Sequence, residues 1–536
     1  MDLTEKEEEQ HRLLDEAEAS LLSDSEPDSG TPVVGAWQTS GRGSSSKLRL
    51  AWLLNHLQCC VRKARGPCIR RRRPLRWLLN IIVCLLTLFL VLVASCGAFS
   101  PSYTSPPSRY DALRRRARET PDQPGRVNPG NQKVFIAASL YDPQGTLVSG
   151  HWGQAVRSLV DLLGPENVHV SIYEDNADAR SKAALAEFEI ALRCNSTLVA
   201  EDLDTAELPH VLLPGGMNKL SRIAFLAEVR NRALQPLDGL TSLAPDTRFD
   251  KLLYLNDVAF DPVNAANLLL STNTDESTGG TDYLAACAVD FINPFKFYDT
   301  FATRDAEGYE MGVPLYPWFT GAGDAMSRRD VLAQKDAVRV KSCWGGMVAF
   351  DAQWFYQTEV TNSASAKMQR PLRFRAENES FWESSECCLI HADLDALATA
   401  GMGATRHGIF MNPYVRVAYS KAVLDWLPFT RRFERLYSPV HALVNAIASR
   451  PGYNPRRLHQ PDTMVSDRVW TWAKPGQSSE DEGEQMSGAY HSIERAALSG
   501  GFCGVRKASV INEHPGKGQS RWDSIPAPVD RGAIAA

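Results

Sequence analysis

The stretch Trp77–Phe99, WLLNIIVCLLTLFLVLVASCGAF, carries no charged side chain and is long enough to cross a bilayer as one helix. This run divides the chain, because a membrane span places its two flanks in separate aqueous compartments. A cleaved signal sequence would stand at the extreme N-terminus with a shorter apolar centre, whereas residues 1–76 come first, so an uncleaved anchor is expected. Arg62, Lys63, Arg65, Arg70, Arg71, Arg72, Arg73 and Arg76 crowd the N-terminal flank, against Arg109, Arg114 and Arg115 beyond the other end. The positive-inside bias leaves the N-terminus cytosolic and the bulk of the chain in a secretory lumen, a type II, single-pass arrangement. The alternative, a buried core helix, would normally present a polar face.

A lumenal location suits the cysteines there. Cys194, Cys287, Cys343, Cys387, Cys388 and Cys503 can oxidise in that compartment, and the adjacent Cys387 and Cys388 are expected to take different partners. Asn195 (Asn-Ser-Thr) and Asn378 (Asn-Glu-Ser) are glycosylation acceptors by sequence and so are expected at the surface. The net charge of −5 is spread over both signs and gives no indication of a nucleic-acid partner. The arginine run beside the apolar stretch is explained by topology and anionic lipid.

Composition sets the expected domains. Residues 1–76 read as a cytosolic tail, acidic and then Ser- and Gly-rich before the basic flank, with a dileucine pattern at Glu9, Leu13 and Leu14 and a cysteine pair at Cys59 and Cys60 open to acylation. Residues 77–99 are the anchor, and residues 100–131, dense in Pro, Arg and Ser, read as a lumenal stem. A catalytic domain is expected over residues 132–427 and a partly disordered C-terminal appendage over 428–536.

Within residues 132–427 apolar strand patterns alternate with helical ones. Strands are expected at Lys133–Ser139, Val168–Tyr173 and Lys251–Leu255, with helices near Gly153–Leu163, Ala177–Leu192 and Asn218–Leu234. This alternation predicts an α/β fold with a mainly parallel, covered sheet, in which ligands sit at the carboxyl ends of the strands.

Four clusters carry chemistry. KLLYLNDVAFD ends a strand at Asn256–Asp257, with Asp261 four residues on. A carboxylate so placed suits Mn²⁺ or Mg²⁺, which takes few protein ligands and completes its shell with phosphate oxygens and water. The plainer alternative is a turn that caps a helix at Pro262. Arg222 and Arg230, about two helical turns apart, and Asn231 can face a phosphate, ribose or base, or can form a solvated basic face. In VKSCWGGMVAFD, Trp344 offers a platform for a sugar ring, and Gly345 and Gly346 allow close backbone approach; otherwise they are core and turn. In FWESSECCLIHADLD, Glu386 is a candidate acceptor-side carboxylate and His391 a candidate second metal ligand, or the acids belong to an ordinary helix surface.

The series FIAASLYD, EVRNRAL, FDKLLYLNDV, SCWGGMVAFDAQWF, ESSECCLIHADL and GIFMNPYVRVAYS resembles the fungal capsule-associated α-1,3-mannosyltransferase family, over roughly Lys133 to Ser420. That resemblance implies a GT-A-like, Rossmann-type nucleotide-sugar-binding fold, a GDP-mannose donor, a divalent cation and α-1,3 transfer with retained configuration to a mannose-containing glycan. It places the metal on Asp257, with Asn256 in place of the first acid of an Asp-X-Asp, and aligns the family's Arg-Asn pair with Arg230–Asn231, its CWGG with Cys343–Gly346 and its SEC with Ser385–Cys387. Glu386 is then the leading acceptor-side acid. The competing expectations are a same-fold transferase using another nucleotide sugar, such as UDP-xylose or UDP-glucose, and a silent lumenal glycan-binding or assembly partner of other Golgi transferases.

Overall fold

The computed structural model describes residues 73–213, 216–238, 248–275, 277–356, 371–402, 408–472, 488–512 and 520–530. The expectations for the dileucine pattern and for Cys59 and Cys60 fall outside the described residues. The chain divides into two compact units, residues 1–94 and 95–536. Helix α1 (Arg73–Phe99), most of which lies in the first, contains Trp77–Phe99, the one stretch among the described residues long and apolar enough to cross a membrane as a helix.

The second unit is built on a ten-stranded mixed sheet. Its principal strands are β1 (Val134–Leu140), β2 (Val168–Asp175), β3 (Asn195–Glu201), β4 (Lys251–Leu255), β5 (Tyr283–Asn293), β6 (Val338–Ser342), β7 (Met347–Asp351) and β8 (Gly408–Ala418). They lie in the order β3-β2-β1-β4-β7-β5-β8-β6. β1 to β4 are mutually parallel, β7 runs antiparallel to both β4 and β5, and β8 runs parallel to β5. Hence β1, β4, β5 and β8 all point the same way and deliver their carboxyl ends to one edge. The chain leaves β1 toward β3 on one side and toward β7 on the other, which makes the β1/β4 boundary a topological switch point.

Helices α2 (Ser108–Glu119), α3 (His151–Leu163), α4 (Ala179–Ala191), α5 (Arg222–Arg232), α6 (Pro262–Ser271) and α7 (Glu386–Met402) cover the sheet. Alternation along each strand divides the core. Phe135, Ala137, Leu252 and Tyr254 face one apolar cluster, with Ala227 and Val229 of α5 and Leu389 and Ile390 of α7. Ile136, Ala138, Leu253 and Leu255 face the other, with Val156 and Leu159 of α3 and Leu268 of α6. Burial on both faces is why these strands read as unbroken apolar runs. The expected Asn218–Leu234 helix begins later, at Arg222 after the Ser221 cap, because Asn218–Leu220 pairs with His210–Leu212 instead.

Two domain boundaries need correction. Residues 100–131 are not a free stem. Ser102, Tyr103, Tyr110, Leu113 and Val127 are buried, Asn412 Nδ2 donates to the Tyr110 hydroxyl at 2.7 Å, and Arg109 Nε donates to the Ser271 carbonyl at 2.7 Å. Tyrosine and leucine side chains gain more from these pockets than the Pro and Ser content costs, so the folded unit reaches back to residue 95.

Nor are residues 428–536 an appendage. Helices α8 (Lys421–Thr430) and α9 (Tyr437–Ile447) and hairpins β9–β10 (Met464–Trp472, Gly488–Ala496) and β11–β12 (Lys507–Ile511, Trp522–Pro526) follow β8. Cys503 is disulfide-bonded to Cys388 of α7, Val510 bridges Ser221 beside α5, and Arg304 binds the Phe502 and Cys503 carbonyls. A second disulfide joins Cys287 to Cys343, while Cys194 and Cys387 are free. Cys387 and Cys388 therefore do behave differently, although only one of them pairs.

Candidate active site

The backbone is pinned just before Asp257. The Asn256 N–H donates to the Gly346 carbonyl at 2.9 Å, and Trp152 Nε1 of α3 donates to the Asn256 carbonyl at 2.9 Å. The Asp257 side chain that follows is exposed, yet enough protein crowds it that desolvation raises its carboxyl pKa. Arg230 works against that rise and Asp142, which follows β1, adds to it. This carboxylate stands at the carboxyl end of β4, at the switch point.

Beneath it lies a buried cation. Arg230, near the end of α5, pairs through Nε with Glu386 Oε1 at 3.0 Å, and its Nη1 donates to Asn256 Oδ1 at 3.2 Å. Its guanidinium sits 4.5 Å from the Trp344 ring centroid, within range of a cation–π interaction. Burial disfavours its charge, but Cys387 and Glu386 beside it outweigh that and raise its pKa, so it stays a cation. Trp344 Nε1 also donates to Asn256 Oδ1, at 3.1 Å. Arg230, Glu386, Asn256 and Trp344 are thus one network supporting the residue before Asp257.

A second acidic group flanks the same edge. Asp290, near the end of β5, is fully buried; Oδ1 accepts from the Asp299 N–H at 3.1 Å and Oδ2 from the Tyr419 hydroxyl at 3.3 Å. Asp299 Oδ2 accepts from the Trp344 N–H at 2.9 Å, the Gly345 N–H at 3.3 Å and the Thr303 hydroxyl at 2.9 Å. Burial first, and then Asp299, raises the pKa of Asp290. Asp257 acts electrostatically on both Tyr298 and Tyr419, whose rings meet edge-on at 4.6 Å, so these groups share one neighbourhood.

Residues 133–393 match the family model described as cryptococcal mannosyltransferase 1. That match spans just under half of the chain and supports the resemblance to the cryptococcal mannosyltransferase-like family. Among solved structures, a mannosyltransferase from Pyrobaculum calidifontis in complex with GDP-mannose and Mn²⁺ is similar at 13% identity, over 68% of this chain and 76% of that chain, with a TM-score of 0.30. GalNAc-T7 with UDP, GalNAc and Mn²⁺ is similar at 12% identity, over 54% and 43%, with a TM-score of 0.29. Mannosyl-3-phosphoglycerate synthase from Rubrobacter xylanophilus is similar at 14% identity, over 75% and 94%, with a TM-score of 0.24. Comparison with curated proteins gives no match.

The sheet itself is of the expected α/β kind, with the parallel block β3-β2-β1-β4 and helices over both faces. Several side chains differ from what the sequence led one to expect. Asn231 is not open to a ribose or base: its Nδ2 donates to the Phe374 carbonyl and its Oδ1 accepts the Phe374 N–H, each at 2.9 Å. Trp344 is buried, and its ring packs with Arg230, Tyr254 and Phe374 instead of lying open as a sugar platform. Gly345 and Gly346 have φ of +55° and +65°; a Cβ on Gly345 would stand 2.0 Å from the Ala288 carbonyl oxygen, so the pair serves a close approach to β5.

Arg222 and Arg230 do not share one ligand-facing surface: Arg230 is buried, whereas Arg222 stacks on Trp522 at 4.7 Å. Asn256 spends its side-chain oxygen on Arg230 and Trp344. Glu386, expected on the acceptor side, is buried in its pair with Arg230.

The metal assignments separate. Asp261 caps α6, with Oδ1 accepting from Val263 N at 2.7 Å and Asn264 N at 3.2 Å. His391 is fully buried, with Nδ1 at 2.7 Å from the Cys387 carbonyl and its ring against Phe350. Phe350 pairs with Leu252, five residues before Asp257, so His391 lies along the sheet and away from its carboxyl edge. Nor does the nearby cluster of His391, Cys287 and Cys343 form a metal site, because both sulfurs are in the disulfide. What fits a divalent cation is Asp257: one accessible, desolvated carboxylate beside which phosphate oxygens and water can complete a hard ion's shell.

Asp142, Asp290 and Asp299 were not singled out from the sequence. The signal for Asp290 was present, since AACAVD repeats the pattern of an apolar strand ending in an acid, as LLYLND does. A groove of about 720 Å³ elsewhere is lined by Arg118, Arg157 and Arg193 and contains none of these carboxylates. Asn195 and Asn378 are both exposed, as acceptor sites must be.

Proposed function

We propose that the chain is a type II, single-pass Golgi glycosyltransferase that moves mannose from GDP-mannose to a mannose-containing glycan, forming an α-1,3 linkage with retained configuration. The observation that carries this reading is Asp257, held accessible at the carboxyl end of β4 at the switch point, with the buried Arg230–Glu386 pair beneath it. The match of residues 133–393 to a mannosyltransferase family model supports the sugar and, by resemblance, the donor and linkage. The apolar, exposed helix Trp77–Phe99 and its basic flank support the topology.

Asp257 would hold Mn²⁺ or Mg²⁺. When bound, such an ion supplies positive charge to the departing diphosphate. The chain's own groups then have three tasks. Arg230 contributes a fixed, desolvated positive charge under the strand end, where a low dielectric strengthens it. Glu386 and Asn256 hold that guanidinium in place. Asp290 and Asp299 fix the Trp344–Gly345 turn and Tyr419, which wall the same edge.

The test is sugar transfer by the full chain in detergent, offered GDP-mannose, UDP-xylose or UDP-glucose with α-mannoside acceptors, in Mn²⁺ and after chelation. Turnover of GDP-mannose that is lost on chelation and in Asp257→Ala supports the reading. Turnover of a uridine nucleotide sugar replaces the donor, and donor binding without transfer to any acceptor or water turns the reading toward a silent assembly partner.

A further inference from the structure

Helix α9 is amphipathic in the wrong direction for a helix that faces water. The side chains it buries are His441 and Asn445, while Val440, Leu443, Val444 and Ile447 are 49, 63, 37 and 75% exposed. Those four occupy positions i, i+3, i+4 and i+7, one continuous stripe. The polar side is held in the protein: Asn445 Oδ1 accepts the Val313 N–H at 2.8 Å, and Arg328 Nη1 lies 3.2 Å from His441 Nδ1. The outward direction of the stripe is therefore built in by hydrogen bonds and is not a matter of loose packing.

Helix α8 repeats the arrangement. It buries Leu427 and Thr430 and leaves Trp426 and Phe429 57 and 55% exposed. Trp426, Phe429 and Phe433 form a chain of edge-on rings at 5.9 and 5.2 Å. Phe433 belongs to the 3₁₀ turn Arg431–Leu436 that joins the two helices, and that turn is fixed to β8 by the buried Glu434–Arg416 pair at 2.7 Å. Exposed aromatic and aliphatic stripes on two successive helices form an apolar surface of the kind that marks an interaction site.

The position of this surface identifies its occupant. Gly97, two residues before the apolar run ends at Phe99, lies within the same compact unit, and a Cβ there would meet Phe433 Cε1 at 2.3 Å. Only Ser100 and Pro101 separate Phe99 from the buried Ser102–Tyr103 anchor, so no stem intervenes between the run and the folded unit. Arg432 is exposed on the connecting turn, with Arg431 and Arg435 half-exposed beside it. The acids of this stretch are already engaged, Asp425 with Lys421 and Glu434 with Arg416. An apolar stripe with tryptophan and a cationic rim, at the point where a membrane-length helix ends, has the chemistry of the headgroup boundary.

We infer that α8 and α9 lie in the surface of the bilayer that Trp77–Phe99 enters, so that the catalytic unit is docked on the membrane at a second place and held in a fixed orientation. The inference rests on the reading of Trp77–Phe99 as a membrane span. It adds that Asp257, which belongs to the same compact unit as α8 and α9, is held in a fixed orientation to the lipid surface.

The test uses the full chain reconstituted in vesicles containing anionic lipid, with its accessible free cysteines replaced by serine and a nitroxide on Leu443→Cys or Ile447→Cys. Leu88→Cys, in the apolar run, and Ile190→Cys, 86% exposed on α4, serve as references. The ratio of accessibility to oxygen over a water-soluble nickel complex at 443 and 447 is expected to exceed that at 190 by about threefold or more and to approach that at 88. Water-like ratios at 443 and 447 with a lipid-like ratio at 88 overturn the inference and leave the span standing. A water-like ratio at 88 sinks the span, and the docking with it. Protection at 443 and 447 from both quenchers means that protein, such as a second copy of the chain, covers the face, and this also overturns the inference.

Discussion

Arg230 Nε and Glu386 Oε1 meet at 3.0 Å with both side chains buried, tying α5 to α7 directly below the edge where β4 ends. Two charges removed from water support one another only as a pair. Removing one partner leaves the other buried and uncompensated, at a cost of about 3–5 kcal/mol. Arg230→Ala and Glu386→Ala are therefore each expected to lower the stability of the unit by that order in urea denaturation. The double variant should lose less than the sum of the two, and strict additivity would show that the pair does not interact.

Asp257→Asn is expected to behave in the opposite manner. Its side chain is exposed and lies outside the apolar clusters, so the thermal midpoint should hold or rise slightly, because the variant removes a desolvated carboxylate. Transfer should fall by about a hundredfold or more, the scale seen when one electrostatic contact to a developing charge is lost. Steady-state rates alongside a melting curve check both halves, and a loss of activity that merely follows a loss of folding would remove Asp257 from the site.

The Asp290–Asp299 pair predicts a pH dependence of stability. Burial raises the pKa of both carboxyls above the ordinary value, and the Asp299 charge raises that of Asp290 further; Tyr298, Tyr419 and Asp257 are titratable groups of the same neighbourhood. A raised carboxyl pKa means that the folded state prefers the protonated form. Its stabilising contribution is complete below the unfolded value of about 4 and is lost as pH climbs through the folded value. Asp290→Asn, which mimics the protonated acid, should therefore stabilise the protein most at neutral and alkaline pH and least near pH 4. Thermal midpoints measured across that range would expose a reversed or flat trend.

Gly345→Ala should destabilise strongly. Its φ of +55° costs an L-residue about 1–2 kcal/mol, and the new methyl would stand 2.0 Å from the Ala288 carbonyl oxygen, so β5 or the turn must also shift. A total of about 3 kcal/mol or more is expected in denaturant melts. Because the same turn donates two N–H groups to Asp299, donor binding should weaken with it.

The order of strands and helices from Val134 to Leu255 was legible because its signals are local. Lys251–Leu255 reads as a strand from its own five residues and is one, and the Asn256–Asp257 stop marks its carboxyl end without reference to any neighbour. The length of Trp77–Phe99 and the exposure of Asn195 and Asn378 were equally local matters. Tertiary structure decided which polar groups remain open. Asn231, Trp344 and Glu386 are residue types a sugar site uses, yet each is taken up by a partner distant in sequence, Phe374, Asn256 and Arg230 respectively, and His391 is buried against Phe350 with its ring on the Cys387 carbonyl. It also drew residues 100–131 and the C-terminal hairpins into the fold, and set α9 with its apolar face outward. Composition states what a segment can bury. Only packing against particular neighbours determines which side of it is covered, because that depends on hydrogen bonds and contacts that a linear pattern does not contain.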